Sequence, residues 1–277
     1  MWSWNYPVAD WLHDHHLGGR TILPAVESMR LAAVAFAAHR AVPPVSACSH
    51  APNAVHHARF LRLIEIAAGQ TALELIVESA QGQDGTLVTL SRRIALRGMT
   101  RLLLCSEMEL VREEDSPGPL LPVQPDKPGL LIPAARLYRE LVPFGPAFQS
   151  LAGEVWLTAE EAGGVVHAPA YSGGLIGADW LGSPFPLDGA MHMACVHGQR
   201  LVDFVPFPVA FRRRRVYQAT RPGQRYQVQV RLRQQEPDRL IYDLWLWHEE
   251  ALCEELQGLE MRDVSAGQRR PPEWLRS

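Results

Sequence analysis

The sequence predicts an α+β chain of two similar halves, each a buried helix wrapped by antiparallel strands. Three observations predict it. Two long apolar segments, Ala25 to Ala41 and Leu187 to Gln199, each follow a Pro-bearing loop. After each come runs of β-branched and large apolar residues, spaced as an antiparallel meander is. Between the halves, Glu113 to Gly129 carries Pro117, Pro119, Pro122, Pro125 and Pro128 among mixed charges, the composition of a semi-rigid spacer at a domain boundary. The expected units are residues 1–115, a linker at 116–129, a second unit at 130–265 and a tail at 266–277.

The elements follow in order. Trp2 to Trp11 is short and aromatic and reads as a strand or edge. Pro24 suits a helix entrance, because its fixed φ fits the first turn and its missing N–H is not needed there. Ala25 to Ala41 then has only a narrow polar side, Glu27, Arg30, His39 and Arg40, and a helix apolar nearly all round is a buried one. Pro43-Pro44 breaks the chain. Strands are expected at Ala58 to Ile66, Thr71 to Ser79, Thr86 to Leu96 and Thr100 to Val111. In the second half Ala134 to Leu141 reads as helix, Leu151 to Thr158 and Gly163 to Ala168 as strands, and Tyr171 to Pro186 as loop. After the second buried helix, strands are expected near Val205 to Tyr217, Arg225 to Arg233, Leu240 to His248 and Ala251 to Met261, and Ser265 to Ser277 as a polar tail.

Composition narrows the function classes. The chain has 277 residues, 47% hydrophobic and 21% charged, ordinary for a soluble globular protein. A net charge of −3 makes no electrostatic case for nucleic acid. No apolar run reaches the roughly 18 residues of a membrane helix, and the start, Met-Trp-Ser-Trp, lacks a signal pattern. Cys48, Cys105, Cys195 and Cys253 are scattered, without the spacing of a zinc ribbon or redox motif, which suits a reducing cytoplasm.

The loop before the first buried helix holds the most informative spacing. His15, Gly19 and Pro24 form His-x3-Gly-x4-Pro, while His13 and His16 meet Leu17 and Arg20 where the glycine would fall. A helix behind such a loop can aim its N-terminal amides and positive dipole end at a ligand. On the second helix Asp188 and His192 are four residues apart, hence on one face, where two polar groups among apolar neighbours need each other or a function.

This pattern resembles the double hot-dog dehydratases of polyketide and polyunsaturated fatty acid synthases. "DHHLGG…LP" is similar to their first-half motif, and Asp188-x3-His192 to the Asp at the head of their second helix. A third segment agrees: Gly145, Pro146, Phe148 and Gln149 match the family's Gly-Tyr-x-Tyr-Gly-Pro-x-Phe-Gln. Here Val142 and Phe144 replace the two tyrosines and Leu141 the leading glycine, and Ser183-Pro184-Phe185-Pro186-Leu187 stands where relatives read His-Pro-x-Leu-Leu. Relatives also carry strand-rich sequence ahead of the His loop, so part of the first sheet is expected to be missing or supplied differently.

The resemblance implies syn loss of water from a 3-hydroxyacyl thioester carried on acyl carrier protein, giving a 2-enoyl thioester. His15 would be the base, since an imidazole titrates near ~6.5. The Gly19 N–H would polarise the thioester carbonyl beside the first helix. Asp188 would be the acid if an apolar pocket raises its pKa, with His192 orienting it. Pro24, Phe144, Gly145, Pro146 and Phe148 complete the expected substrate site. No cofactor is implied beyond the carrier's phosphopantetheine arm. Expected partners are acyl carrier protein and other synthase domains or subunits, with no nucleic acid and no membrane; a homodimer is left open. Arg212 to Arg215 reads as a solvated strand end or as a docking patch for the acidic carrier. His16, His56 and His57 show no metal-ligand spacing, no metal is expected, and Cys195 reads as core. A cyclase or isomerase on the same fold, and a non-catalytic acyl-binding module, remain as rivals.

Overall fold

The computed structural model describes residues 1–40, 51–96, 99–114, 129–171, 175 and 177–276, the side chains of His39, Arg40 and Leu96 apart. The Pro43-Pro44 break and the Pro-rich linker up to Pro128 lie outside these residues, as does Cys48.

Among the described residues the strands are β1 (Trp2–Pro7), β2 (His16–Leu17), β3 (Arg20–Ile22), β4 (Ala54–Phe60), β5 (Glu65–Ile66), β6 (Ala72–Gln81), β7 (Thr86–Leu96), β8 (Met99–Val111), β9 (Leu130–Pro133), β10 (Leu151–Leu157), β11 (Glu161–His167), β12 (Pro206–Val216), β13 (Arg225–Glu236), β14 (Arg239–His248) and β15 (Ala251–Asp263). The helices are α1 (Ala25–Arg40), α2 (Ala134–Glu140) and α3 (Pro184–Leu201). Twelve strands form one sheet in the order β1-β6-β7-β8-β4-β12-β15-β14-β13-β11-β10-β9, while β2, β3 and β5 form a small second sheet. The halves meet where β4 and β12 pair antiparallel, Ala54 opposite Arg215 and Ala58 opposite Phe211. The chain is thus a double hot-dog: two helices gripped by one continuous antiparallel sheet.

Local pattern explains the elements. On β14, Leu240, Tyr242, Leu244 and Leu246 are buried at alternate positions, the period that puts one face of a strand on the core. α3 is buried at every position from Pro184 to Gln199 and packs against α1. Its Ala, Gly and Cys content lets two backbones approach.

Four expectations are corrected. α3 begins at Pro184, three residues before Leu187, because Pro184 and Pro186 fall in a first turn whose N–H groups have no intrahelical partner. The expected strand Ala58 to Ile66 splits into β4 and β5, and the amides of Leu61 and Arg62 both turn onto the Cys105 carbonyl between them. Ser265 to Ser277 is tied down: Leu275 is fully buried, and the Arg136 guanidinium lies 3.5 Å from the Trp274 ring centroid.

The fourth correction concerns the arginine run. β12 is a central strand, so Arg212 to Arg215 lies mid-sheet rather than at a solvated end. Arg214 is 2% exposed and donates to Glu254 Oε2 at 2.7 Å and to the Leu181 carbonyl at 3.0 Å. Arg213 is paired with Glu113 and Glu255, and Arg215 with Glu113. Three of the four are therefore paired with carboxylates inside the fold, and only Arg212, bonded to Gln257, stays exposed, so the run is not a four-arginine docking patch. Removing one member of a buried pair leaves an uncompensated charge. Arg214→Ala should therefore cost about 3–5 kcal/mol, against a few tenths for exposed Arg212→Ala. Denaturant unfolding of the two variants checks this, and equal midpoints would contradict the buried-pair account.

Candidate active site

His15 sits where a short 3-10 turn, Asp10–Asp14, runs into a tight hairpin. Gly18 and Gly19 form its two-residue tip with φ of +63° and +77°, the pair of positive values that a type I′ turn needs and that favours glycine. Across the open end, the Ile22 amide donates to the His15 carbonyl at 2.9 Å, and His15 Nδ1 lies 2.7 Å from the Ile22 carbonyl. A carbonyl can only accept, so Nδ1 carries the proton and Nε2 keeps its lone pair. Phe144 stacks on the imidazole with centroids 4.4 Å apart, and Phe148 meets it edge-on at 4.9 Å. Burial lowers the His15 pKa, opposed by the charge of Asp188. The ring is thereby kept neutral and aimed, the state a general base requires.

The residue before it ties the two halves together. The Asp14 carboxylate accepts from the Ala147 amide at 2.8 Å, and its backbone carbonyl from the Gly145 amide at 2.8 Å. A Cβ at Gly145 would fall 2.5 Å from Asp14 Oδ1, so no other residue fits there without moving the loop. This clamp sets Phe144 and Phe148 against His15.

On α3, His192 Nε2 lies 2.9 Å from Asp188 Oδ2, and both residues are about 95% buried, at 4% and 5% exposed. The ring N–H does not point along this contact, so Oδ2 keeps a lone pair with no directed partner. His192 Nδ1 is 3.4 Å from the Tyr138 hydroxyl, which also accepts from the Leu151 amide at 2.9 Å. Phe144 bridges the two histidines, its centroid 4.7 Å from His192. Burial pushes the Asp188 carboxyl up, but His192 and then His15 pull it further down, and the net shift is downward. The expectation that the pocket raises it is thus corrected: the apolar surroundings are outweighed by two imidazoles.

His15, Asp188 and His192 line one cavity with Val142, Phe144 and Met191, holding about 850 Å³ of atom-free space including its mouth. It is mostly apolar, as a site for an acyl chain would be. A second, more polar recess shares Leu17, Val142, Phe144, Cys195 and Phe207 with it and is flanked by Arg269 and Arg270.

The other expected site residues separate into two groups. Phe148 is fully buried and backs His15, whereas Gly145 is half-buried and Pro146 exposed, both outside the cavity lining. Pro24 is buried at the α1 entrance, its carbonyl accepting from Ser28. Gly19 is corrected: it is exposed on the hairpin tip, outside the cavity lining, so its φ rather than an amide aimed at substrate accounts for it. Cys195 lines the cavity, but burial pushes its thiol up to about 12, which rules out a ready thiolate. Sequence reasoning missed Asp14 and Tyr138, although Asp14 precedes His15 and Tyr138 opens the segment containing Gly145.

The family model described as polyketide synthase dehydratase N-terminal domain matches residues 117–271, more than half of the chain. No curated protein sequence matches. The fold is similar to a dehydratase domain of a trans-AT polyketide synthase from Brevibacillus brevis, at TM-score 0.75 and 14% identity, over 95% of this chain and 93% of that one. It is also similar to the dehydratase domain of the polyketide synthase PpsC from Mycobacterium tuberculosis, at TM-score 0.71 and 18% identity, over 94% and 91%. The dehydratase domain of a mycocerosic acid synthase-like polyketide synthase gives TM-score 0.71 and 16% identity over 96% and 92%. The fold and the family match agree, and the chain belongs to the polyketide synthase dehydratase family.

Proposed function

We propose that this dehydratase removes water from 3-hydroxyacyl thioesters carried on an acyl carrier protein, with His15 as base and the Asp188–His192 pair as proton donor. The observation that carries the reading is one apolar cavity walled by a neutral, oriented imidazole from the first half and a buried carboxylate–imidazole pair from the second. His15 Nε2 takes the Cα proton. The Cβ–O bond breaks as the Cα–Cβ double bond forms, and the departing hydroxyl takes a proton from the pair and leaves as water. The pair can hold that proton as carboxylic acid or as imidazolium, which reconciles a depressed Asp188 carboxyl with an acid's role. Tyr138 holds His192 from behind. Incubation with carrier-bound 3-hydroxyacyl substrates, followed by mass spectrometry, should reveal loss of one water. An unchanged mass with a rearranged or cyclised product would turn the reading to the cyclase or isomerase alternative.

The carrier would approach the polar recess, which shares wall residues with the cavity and is lined by Arg269 and by Arg270, the latter paired with exposed Asp203. Replacing both with Glu should lower kcat/KM for carrier-bound substrate by about tenfold or more, as charge reversal at a rim slows encounter. Turnover of the same acyl group on a short pantetheine thioester should hardly change. Equal losses on both substrates would place these arginines in catalysis or folding instead.

A further inference from the structure

Away from the cavity, β4 carries two adjacent histidines whose rings serve one point. Consecutive residues of a strand normally face opposite ways. His57, however, has φ +51°, a left-handed value uncommon outside glycine, and β4 slips register against β8 just there, between His56 and Arg59. As a result His56 Nδ1 and His57 Nε2 each lie 3.5 Å from the same oxygen, Asp84 Oδ2. All three donor atoms are within 4.8 Å of one another.

The surroundings fix these groups. Asp84 lies in the β6–β7 turn, whose amides at Gln83 and Asp84 donate to the Glu109 carboxylate at 3.2 and 2.9 Å. His56 Nε2 lies 2.6 Å from Glu113 Oε1, and Arg213 donates to both oxygens of that carboxylate. Glu113 is therefore an acceptor, and the His56 proton belongs on Nε2. That leaves Nδ1 facing the Asp84 carboxylate oxygen at 3.5 Å, a place that either a second ring proton or a bound cation can fill. A carboxylate behind a histidine is also the usual outer partner of a metal ligand, since it fixes the tautomer.

We propose that His56, His57 and Asp84 form a site for a divalent transition metal of the zinc type, with further positions open to solvent. Donors of a tetrahedral zinc ion at ~2.0–2.1 Å stand about 3.3 Å apart, close to the two 3.5 Å separations found here. Two imidazoles and one carboxylate suit zinc, nickel or copper better than magnesium or calcium, which prefer all-oxygen shells. The ion would staple the β6–β7 turn to β4, the strand through which the two halves pair, so its role would be to stabilise the fold. Spacing in the sequence does not single out this trio, because the fold alone brings Asp84 to the histidines.

The test uses the full chain stripped with chelator, titrated with zinc chloride by calorimetry, and followed by thermal unfolding with and without zinc. The variants are His57→Gly and Asp84→Asn. Glycine adopts the left-handed conformation freely, so His57→Gly should fold at least as well as the wild type without metal. The wild type should bind one equivalent of zinc more than either variant. Losing a ligand should weaken that equivalent by at least about tenfold, the loss that even outer partners of a metal ligand can cause. The zinc-dependent rise in Tm should vanish in both variants while dehydration is unchanged. If wild type and variants bind zinc alike, or no zinc binds, the proposal is overturned.

Discussion

His15→Ala should abolish dehydration, with a loss of about 10²- to 10⁴-fold in kcat/KM, the range for removal of a general base. The variant should stay folded. Its side chain gives one hydrogen bond to the Ile22 carbonyl and two ring contacts, and losing that bond costs roughly 1 kcal/mol. His15→Phe separates packing from chemistry: it keeps the aromatic stack on Phe144 and should be equally inactive. The pH profile of the wild type gives a second reading. The base works only when neutral, and burial lowers the pKa of His15. The acid limb of kcat/KM should accordingly lie below the ordinary imidazole value of about 6.5, with activity retained as pH falls through that value and lost only beneath it. Near-wild-type turnover in His15→Ala would remove His15 as base and the proposed reaction with it.

The fold was legible because its signals are local. An Ala-rich segment apolar nearly all round is a buried one, and α3 is buried from Pro184 to Gln199 and α1 from Val26 to Ala33. Alternating strands such as β14 reveal their core face directly. Boundaries were harder where one residue type serves two structures. Pro184 and Pro186 look like loop residues, yet the first turn of a helix leaves their missing N–H groups without consequence. Four successive arginines look solvated, but whether β12 is an edge or central strand depends on its pairing with β4 and β15, which no local pattern reports. The buried guanidinium of Arg214 also needs a carboxylate from elsewhere in the chain: Glu254 lies 40 residues away.

The candidate site was legible to the same depth. His15, Asp188 and His192 come from short spacings and Phe144 from the segment resembling the family's, and the four line one cavity. Asp14 and Tyr138 escaped because their work is done across the chain, Asp14 reaching a backbone amide 133 residues away. Gly19 misled for a physical reason: glycine is demanded equally by close approach to a ligand and by a positive φ, and here the hairpin turn is what uses it. The direction of the Asp188 shift was equally beyond reach, since it depends on how two imidazoles from different halves balance burial.

Asp188→Asn should be nearly as severe as loss of His15, in the range of about 10²- to 10⁴-fold. Hydroxide is a poor leaving group, and an amide of the same shape cannot donate an acidic proton to it. The residue is 4% exposed against α3's neighbours, so the isosteric change keeps the packing. A signature beyond lost rate follows from the electrostatics. The charge of Asp188 raises the pKa of His15, against the larger effect of burial. Neutral Asn removes that upward pull, so the His15 pKa falls further and the acid limb of the residual activity should move to lower pH than in the wild type. A variant that merely misfolds would lose amplitude without such a shift. His192→Gln is the control on the other side of the pair. Glutamine can still hydrogen-bond Asp188, and without the imidazole's pull the buried carboxyl would hold its own proton, so this variant should retain far more activity than Asp188→Asn. Full activity in Asp188→Asn would leave the base in place and remove the acid, and a bound water would have to supply the proton. Equal collapse of both variants would instead mean that the proton is held by His192, with Asp188 serving to fix the ring.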